Sequence, residues 1–112
     1  MSKLEKELKA VVNRVFEKKR QKLGVDGVKL DVEIAEEVGG PPVVGENVYG
    51  EAFPKEKPPR VWIQAWPEAT DREITKGVCD ELLHIKYPEL RQYDEHGHET
   101  KKFKQKLEAC VR

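Results

Sequence analysis

The spacing of the apolar residues changes from helical to extended near the start of the chain. Up to Leu23 they recur every three or four positions, which is the period of one face of an α-helix. Over residues 28–34 they alternate with charged residues, which is the period of a half-buried β-strand. Gly24 and Gly27 lie between the two segments and favour a turn. The chain therefore begins with a helix over about residues 3–23 and continues into a strand.

Two more segments have the composition of strands, and both follow a predicted loop. The Gly-Gly-Pro-Pro run at residues 39–42 favours this loop, because proline lacks the amide that a sheet requires. Strands are predicted over Asn47–Phe53 and Arg60–Trp66. The residues between them, 54–59, are turn formers and charged residues, so the two strands are expected to form an antiparallel pair.

Two helices are predicted in the second half of the chain. Thr70 and Glu73 have the spacing of a capping box, in which each side chain accepts a hydrogen bond from a free amide of the first turn. This helix is expected to end near Lys86, because Pro88 disfavours helical geometry at the residue before it. A last helix is expected over about residues 98–111. Its apolar stripe consists of Phe103, Leu107 and Cys110.

These elements predict an α+β fold in one domain, residues 1–112, with a backing helix, a three-stranded sheet and two further helices. Twenty-one basic residues balance twenty-one acidic ones, so no net charge attracts nucleic acid or an acidic membrane surface. The N-terminus is a charged helical pattern without a signal-peptide core, and apolar runs are short, so we expect a cytoplasmic protein without a membrane partner. Cys79 and Cys110 are expected to be buried thiols. Charged residues make up 38% of the chain, a bias typical of proteins from very hot environments.

One face of the helix that begins near Thr70 carries residues typical of metal sites. Asp80 and His84 are four positions apart, so their side chains stand one above the other, with Glu81 beside them. In metalloproteases of the H-E-x-x-H type, two His at this spacing hold zinc, and the Glu between them acts as general base. Here the first ligand position is Asp80, whose carboxylate can also bind zinc.

A third ligand must come from outside this helix, because a catalytic zinc has three protein ligands and one open position. The candidate is Glu99, which stands four residues before Phe103 on the stripe of the predicted last helix. A carboxylate on a buried face is costly unless it pairs or binds a cation. His96 and His98 lie in the preceding polar loop, where either could supply an alternative ligand.

The order of the elements and two motifs resemble the minigluzincins, a family of small soluble archaeal metallopeptidase domains. The motifs are E-L-L-H-I-K-Y-P at residues 81–88 and H-G-H-E-T-K-K-F at residues 96–103. The family is similar in turn to the catalytic cores of integral-membrane zinc peptidases of the HtpX and CAAX-prenyl-protease type. The resemblance covers nearly the whole chain and implies a zincin-like fold and zinc-dependent hydrolysis of peptides or unfolded proteins.

The resemblance also implies a role for each site residue. His84 matches the second His of the family motif, Glu81 matches the catalytic general base, and Glu99 matches the third zinc ligand. Asp80 stands where the family has its first His. A site with one imidazole and two carboxylates has a lower preference for zinc and makes its bound water less acidic.

Two other functions fit the same sequence. The mismatch at Asp80 is also expected of a degenerate family member that binds peptides or proteins without cleaving them. The last helix carries a lysine run that is typical of a solvated helix face, and from which nucleic-acid binding could start, although the balanced net charge opposes it. The run consists of Lys101, Lys102, Lys104 and Lys106.

Overall fold

Three helices and a three-stranded mixed sheet make up the part of the chain that the structure describes. A computed structural model describes residues 3–35 and 46–112. The elements in chain order are α1 (Lys3–Leu23), β1 (Lys29–Ile34), β2 (Val48–Phe53), β3 (Arg60–Ala65), α2 (Asp71–Lys86) and α3 (Lys101–Val111). This architecture confirms the predicted α+β class. The loop predicted at residues 39–42 lies outside the described residues.

The sheet has the strand order β1–β3–β2, so β3 lies at its centre. β2 pairs antiparallel with β3, with Gly50 opposite Ile63, which confirms the pairing predicted from the turn formers between the strands. β1 pairs parallel with β3, with Leu30 opposite Val61. The inward residues of β3 are buried because the central strand contacts the helices. β2 forms the edge of the sheet that lies beside α2.

α2 has two apolar faces and links two clusters of buried side chains. Its first face packs with α1 and β3, and its second packs with α3. Full burial of each large aliphatic side chain contributes about 1.5–3 kcal/mol to stability, so α2 is fixed from both sides. The first cluster consists of Leu8, Val12, Phe16, Val61, Ile63, Ala65, Ile74, Val78 and Leu82. The second consists of Cys79, Leu83, Phe103, Leu107 and Cys110.

The ends of α2 follow the local signals in the sequence. The Thr70 hydroxyl accepts a hydrogen bond from the Glu73 amide, and the Glu73 carboxylate accepts one from the Thr70 amide. The capping box is therefore confirmed. At the other end, Tyr87 has left the helical region of backbone geometry, as expected for the residue before Pro88.

The start of α3 differs from the prediction. The helix begins at Lys101, not near residue 98, because the Thr100 side chain caps it by accepting a hydrogen bond from the Phe103 amide. Glu99 therefore precedes the helix and forms a short antiparallel bridge with Tyr93. The expectation that Glu99 lies on the helical stripe with Phe103 is wrong, since the backbone is still extended there.

The two predicted thiols, Cys79 and Cys110, are both buried and free. Lys19 of α1 is also buried, and its ammonium group donates a hydrogen bond to the carbonyl of Cys110 at 2.7 Å. This contact ties α1 to the last turn of α3, where carbonyl groups lack partners within the helix. Among the described residues, no helix combines the length and the apolar character needed to cross a lipid bilayer.

Candidate metal centre

Three residues of α2 bring metal-binding atoms to one place. One donor atom each from Asp80, Glu81 and His84 lie within 4.8 Å of one another. The His84 Nε2 atom is 3.4 Å from the Oδ1 atom of Asp80, as expected for side chains one helical turn apart. The structure therefore brings together three of the four site residues predicted from the sequence, and this group can hold a metal ion.

Gln92, which the sequence did not single out, contacts both Asp80 and His84. Its carboxamide oxygen is 2.9 Å from His84 Nε2, and its carboxamide nitrogen donates a hydrogen bond to Asp80 Oδ2 at 3.2 Å. These contacts place the proton on Nε2 of the His84 ring, which donates it to Gln92. Gln92 lies in an irregular loop without periodicity, so no signal in the sequence could have identified it.

The second oxygen of Asp80, Oδ1, accepts no hydrogen bond within the described part of the chain, and His84 Nε2 lies 3.4 Å from it. This oxygen is buried. A buried carboxylate oxygen without a donor is costly, and such atoms in proteins are normally hydrogen-bonded or bound to a cation. Because this atom also faces His84 Nε2, the residues present fit a divalent metal ion at that point.

The Glu81 side chain lies between α2 and β2, and the absence of a side chain at Gly50 leaves room for it. Burial, together with the neighbouring Asp80 carboxylate, raises the pKa of the Glu81 carboxyl to about 7. The His84 ring opposes this shift. The adjacent carboxylates repel each other when both are charged, and a cation bound between them would remove that repulsion.

His84 is held in place by contacts on two sides. Its ring stacks on Phe103 of α3, with 5.1 Å between the ring centres and 29° between the planes. The adjacent Asp80 carboxylate raises the pKa of His84, burial opposes the shift, and Gln92 adds to it. The second apolar cluster therefore orients the His84 imidazole, as packing residues do around metal sites.

Glu99 is not part of this group. Its side chain is exposed, and it lines the neighbouring cleft on the Asp80 side, which has a volume of about 300 Å³ and is also lined by Tyr93. Burial raises the pKa of Tyr93, and the carboxylates of Asp80 and Glu99 add to this effect. The role of Glu99 as a third ligand therefore stays a prediction, with the carboxylate positioned beside the site.

The two loop histidines are also outside the group. His96 and His98 are exposed, with 6.5 Å between the ring centres, and their backbone amides donate to the Asp94 carboxylate. The lysine run on α3 includes three exposed side chains and Lys106, whose ammonium group lies 4.2 Å from the centre of the Tyr87 ring. None of these side chains contacts the candidate site.

A cleft of about 430 Å³ opens beside Glu81 and His84. One wall is formed by β2, from Gly50 to Ala52, and the opposite wall includes Gln92. β2 is an edge strand of the described sheet, and the cleft lies beside it.

Comparisons with protein-family models, with curated proteins and with solved structures yielded no match to this chain.

Proposed function

We propose that the chain is a zincin-like, zinc-dependent peptide hydrolase with a D-E-x-x-H variant of the metal-binding motif. The observation that carries this proposal is the buried Asp80 Oδ1 atom, which accepts no hydrogen bond within the described part of the chain and faces His84 Nε2 at 3.4 Å, with the Glu81 carboxylate in the same group. The minigluzincin-like motifs at residues 81–88 and 96–103 support the same function.

Each of the three site residues on α2 has a distinct role in the proposed reaction. Asp80 and His84 hold the metal, and Glu81 accepts a proton from the attacking water and later donates it to the leaving amine. When bound, zinc supplies Lewis-acid activation of the water and of the scissile carbonyl. Gly50 provides the space in which the Glu81 carboxylate sits.

The proposed substrate is an extended peptide or a segment of an unfolded protein. A peptide that adds to the outer edge of β2 would form main-chain hydrogen bonds with it and pass over the cleft at Glu81 and His84. Such binding depends on the substrate backbone, so the proposed enzyme accepts many sequences and requires that they be unfolded.

The test combines metal analysis with a cleavage assay. Zinc bound per chain is measured after dialysis against zinc, and cleavage of an unfolded protein is followed for the parent and for Glu81→Gln. The expected result is stoichiometric zinc in both proteins, with cleavage reduced by about 10²–10⁴-fold in Glu81→Gln, as for loss of a general base. A folded parent that binds no zinc would overturn the metal site. Equal cleavage by both proteins would show that Glu81 is not the base.

A degenerate peptide-binding module is the second candidate function, and the contacts of Gln92 favour it. The carboxamide of Gln92 already provides partners for His84 Nε2 and Asp80 Oδ2, so these two atoms are satisfied without a metal. In that case the chain binds unfolded peptides along β2 with the same affinity in EDTA and in zinc, and it cleaves none of them. Peptide affinity measured in the two buffers distinguishes the candidates.

A further inference from the structure

We infer that Gln92 is the third protein donor of the metal site, using its carboxamide oxygen, and that it also positions Asp80. This inference rests on the proposed metal site and adds a ligand that neither the motif nor the resemblance assigns. It replaces the carboxylate of Glu99 with the neutral carboxamide oxygen of Gln92, and both residues lie in the segment that precedes α3.

The distances between the donor atoms match a shared cation. Ligand atoms that each lie about 2.1 Å from one metal ion are separated by roughly 3.0–3.4 Å in octahedral and tetrahedral geometry. His84 Nε2 is 3.4 Å from Asp80 Oδ1, at the upper end of this range, and 2.9 Å from the carboxamide oxygen of Gln92, just below its lower end. The imidazole nitrogen thus has two oxygen donors close to ligand-to-ligand separations, one from the same helix and one from the loop.

The nitrogen and the oxygen of the Gln92 carboxamide have different roles. Its nitrogen donates to Asp80 Oδ2, whereas Oδ1 accepts no hydrogen bond within the described part of the chain and lies 3.4 Å from His84 Nε2. Partners of this kind fix the orientation of a ligating carboxylate. Gln92 therefore need not leave the site when a metal binds. If the His84 ring carried its proton on Nδ1 instead, Nε2 and the Gln92 oxygen would each be free to bind the ion in place of the hydrogen bond between them.

The backbone around Gln92 is anchored to the start of α3. The Gln92 carbonyl accepts a hydrogen bond from the Thr100 amide at 2.7 Å, and the Thr100 hydroxyl donates to the Arg91 carbonyl at 2.6 Å. The Thr100 hydroxyl also accepts from the amide of Phe103, on whose ring His84 stacks. One residue thus fixes both the loop donor and the helix that supports the imidazole, as preorganised sites require.

The competing third ligand is Glu99, which lines the same cleft as Gln92 and Asp80. Glu99 is exposed and lies outside the group of atoms that lie within 4.8 Å of one another. Gln92 is partly buried and contacts both His84 and Asp80. A set of one imidazole, one carboxylate and one carboxamide is also less selective for zinc than a set rich in His, because carbonyl oxygens suit harder cations such as Mn²⁺.

The experiment is a calorimetric titration of the metal-free protein with zinc alone and with Mn²⁺ alone. The parent is compared with Gln92→Ala, Gln92→Glu and the matched control Glu99→Gln. Gln92→Ala is expected to weaken the binding of both metals by on the order of 10–100-fold, the scale of groups that support a metal site. Gln92→Glu keeps an oxygen donor and binds more tightly than Gln92→Ala, whereas Glu99→Gln matches the parent.

The results that would contradict the inference differ from those that would contradict the proposed function. Unchanged metal affinity in a folded Gln92→Ala protein would overturn the role of Gln92 and leave the proposed metal site standing. Tighter binding by Gln92→Ala would also overturn it, because Gln92 would then be a plug that a metal has to displace. Weaker binding by Glu99→Gln alone would assign the third ligand to Glu99. A parent that binds neither metal would overturn the proposed function and this inference together. Thermal unfolding of each variant checks that the chain is folded.

Discussion

Gly50 of β2 lies directly against the side chain of Glu81 of α2. A Cβ atom placed at residue 50 would stand 2.8 Å from both Cγ and Oε2 of Glu81, and 3.0 Å from Cδ1 of Ile63. Real Cβ atoms do not approach other heavy atoms this closely, so a side chain larger than hydrogen requires Glu81 to move. The absence of a side chain at residue 50 is therefore a requirement of the site.

The first prediction is that Gly50→Ala displaces the Glu81 carboxylate. Overpacking of this kind costs about 1–3 kcal/mol of stability, and a base displaced by 1 Å can lower the rate by about 100-fold. Thermal unfolding and cleavage of an unfolded protein measure the two effects. Gly77→Ala is the control, because its Cβ would instead meet Val48 Cγ1 at 2.7 Å, away from Glu81. Full activity in Gly50→Ala would contradict the assignment of Glu81.

The second prediction concerns two faces of α2, one that packs in the core and one that carries the candidate site. Leu82 is fully buried in the larger cluster, so Leu82→Ala is expected to lower the free energy of unfolding by roughly 2–5 kcal/mol. Glu81→Gln changes stability little, since its role is chemical. Denaturant unfolding of the two variants measures the difference. Equal losses of stability would show that these faces are wrongly assigned.

The third prediction is that Asp80→His raises the zinc affinity of the chain. The imidazole restores the first ligand of the family motif, has a longer reach than a carboxylate and removes one anionic ligand, which makes the bound water more acidic. We expect an increase on the order of tenfold or more, the scale on which single groups in a metal site act. Calorimetric titration with zinc measures it, and Asp80→His combined with Glu81→Gln is the control for cleavage. A folded Asp80→His protein with the affinity of the parent would argue against a zinc site.

The fourth prediction concerns acid stability at the start of α2. Hydrogen bonds from the Thr70 and Asn47 amides hold the pKa of Glu73 below its ordinary value of 4.5. A carboxyl with a lowered pKa in the folded state stabilises the protein above the unfolded value, and this contribution is lost as the pH falls through the folded pKa. At pH values below about 4.5, the melting temperature of the parent should therefore decrease.

The control for this prediction is Glu73→Gln, whose melting temperature should depend less on pH over the same range. Thr70→Ala removes the other half of the capping box and is expected to cost about 1 kcal/mol at neutral pH. The same acid dependence in the parent and in Glu73→Gln would show that another carboxyl governs it.

The metal-binding face of α2 was predictable because it depends on local geometry. Residues four apart on a helix always stand above one another, so Asp80 and His84 meet in whatever fold α2 is placed. The bounds of this helix were also predictable, since the capping box and Pro88 affect only the backbone of residues close to them in the sequence. The helix α1, the three strands and the antiparallel pair of β2 and β3 followed from periodicity and turn formers in the same way.

The completion of the site was decided by tertiary structure. Gln92 reaches His84 through a loop whose path has no periodicity, and Gly50 meets Glu81 only because β2 lies at the sheet edge beside α2. Glu99 was placed on a helix because its spacing fits one, yet the Thr100 cap starts α3 after it. The sequence by itself determined the elements and the contacts within each of them. Contacts between elements depend on strand order and loop path, which are set by the burial of the whole core.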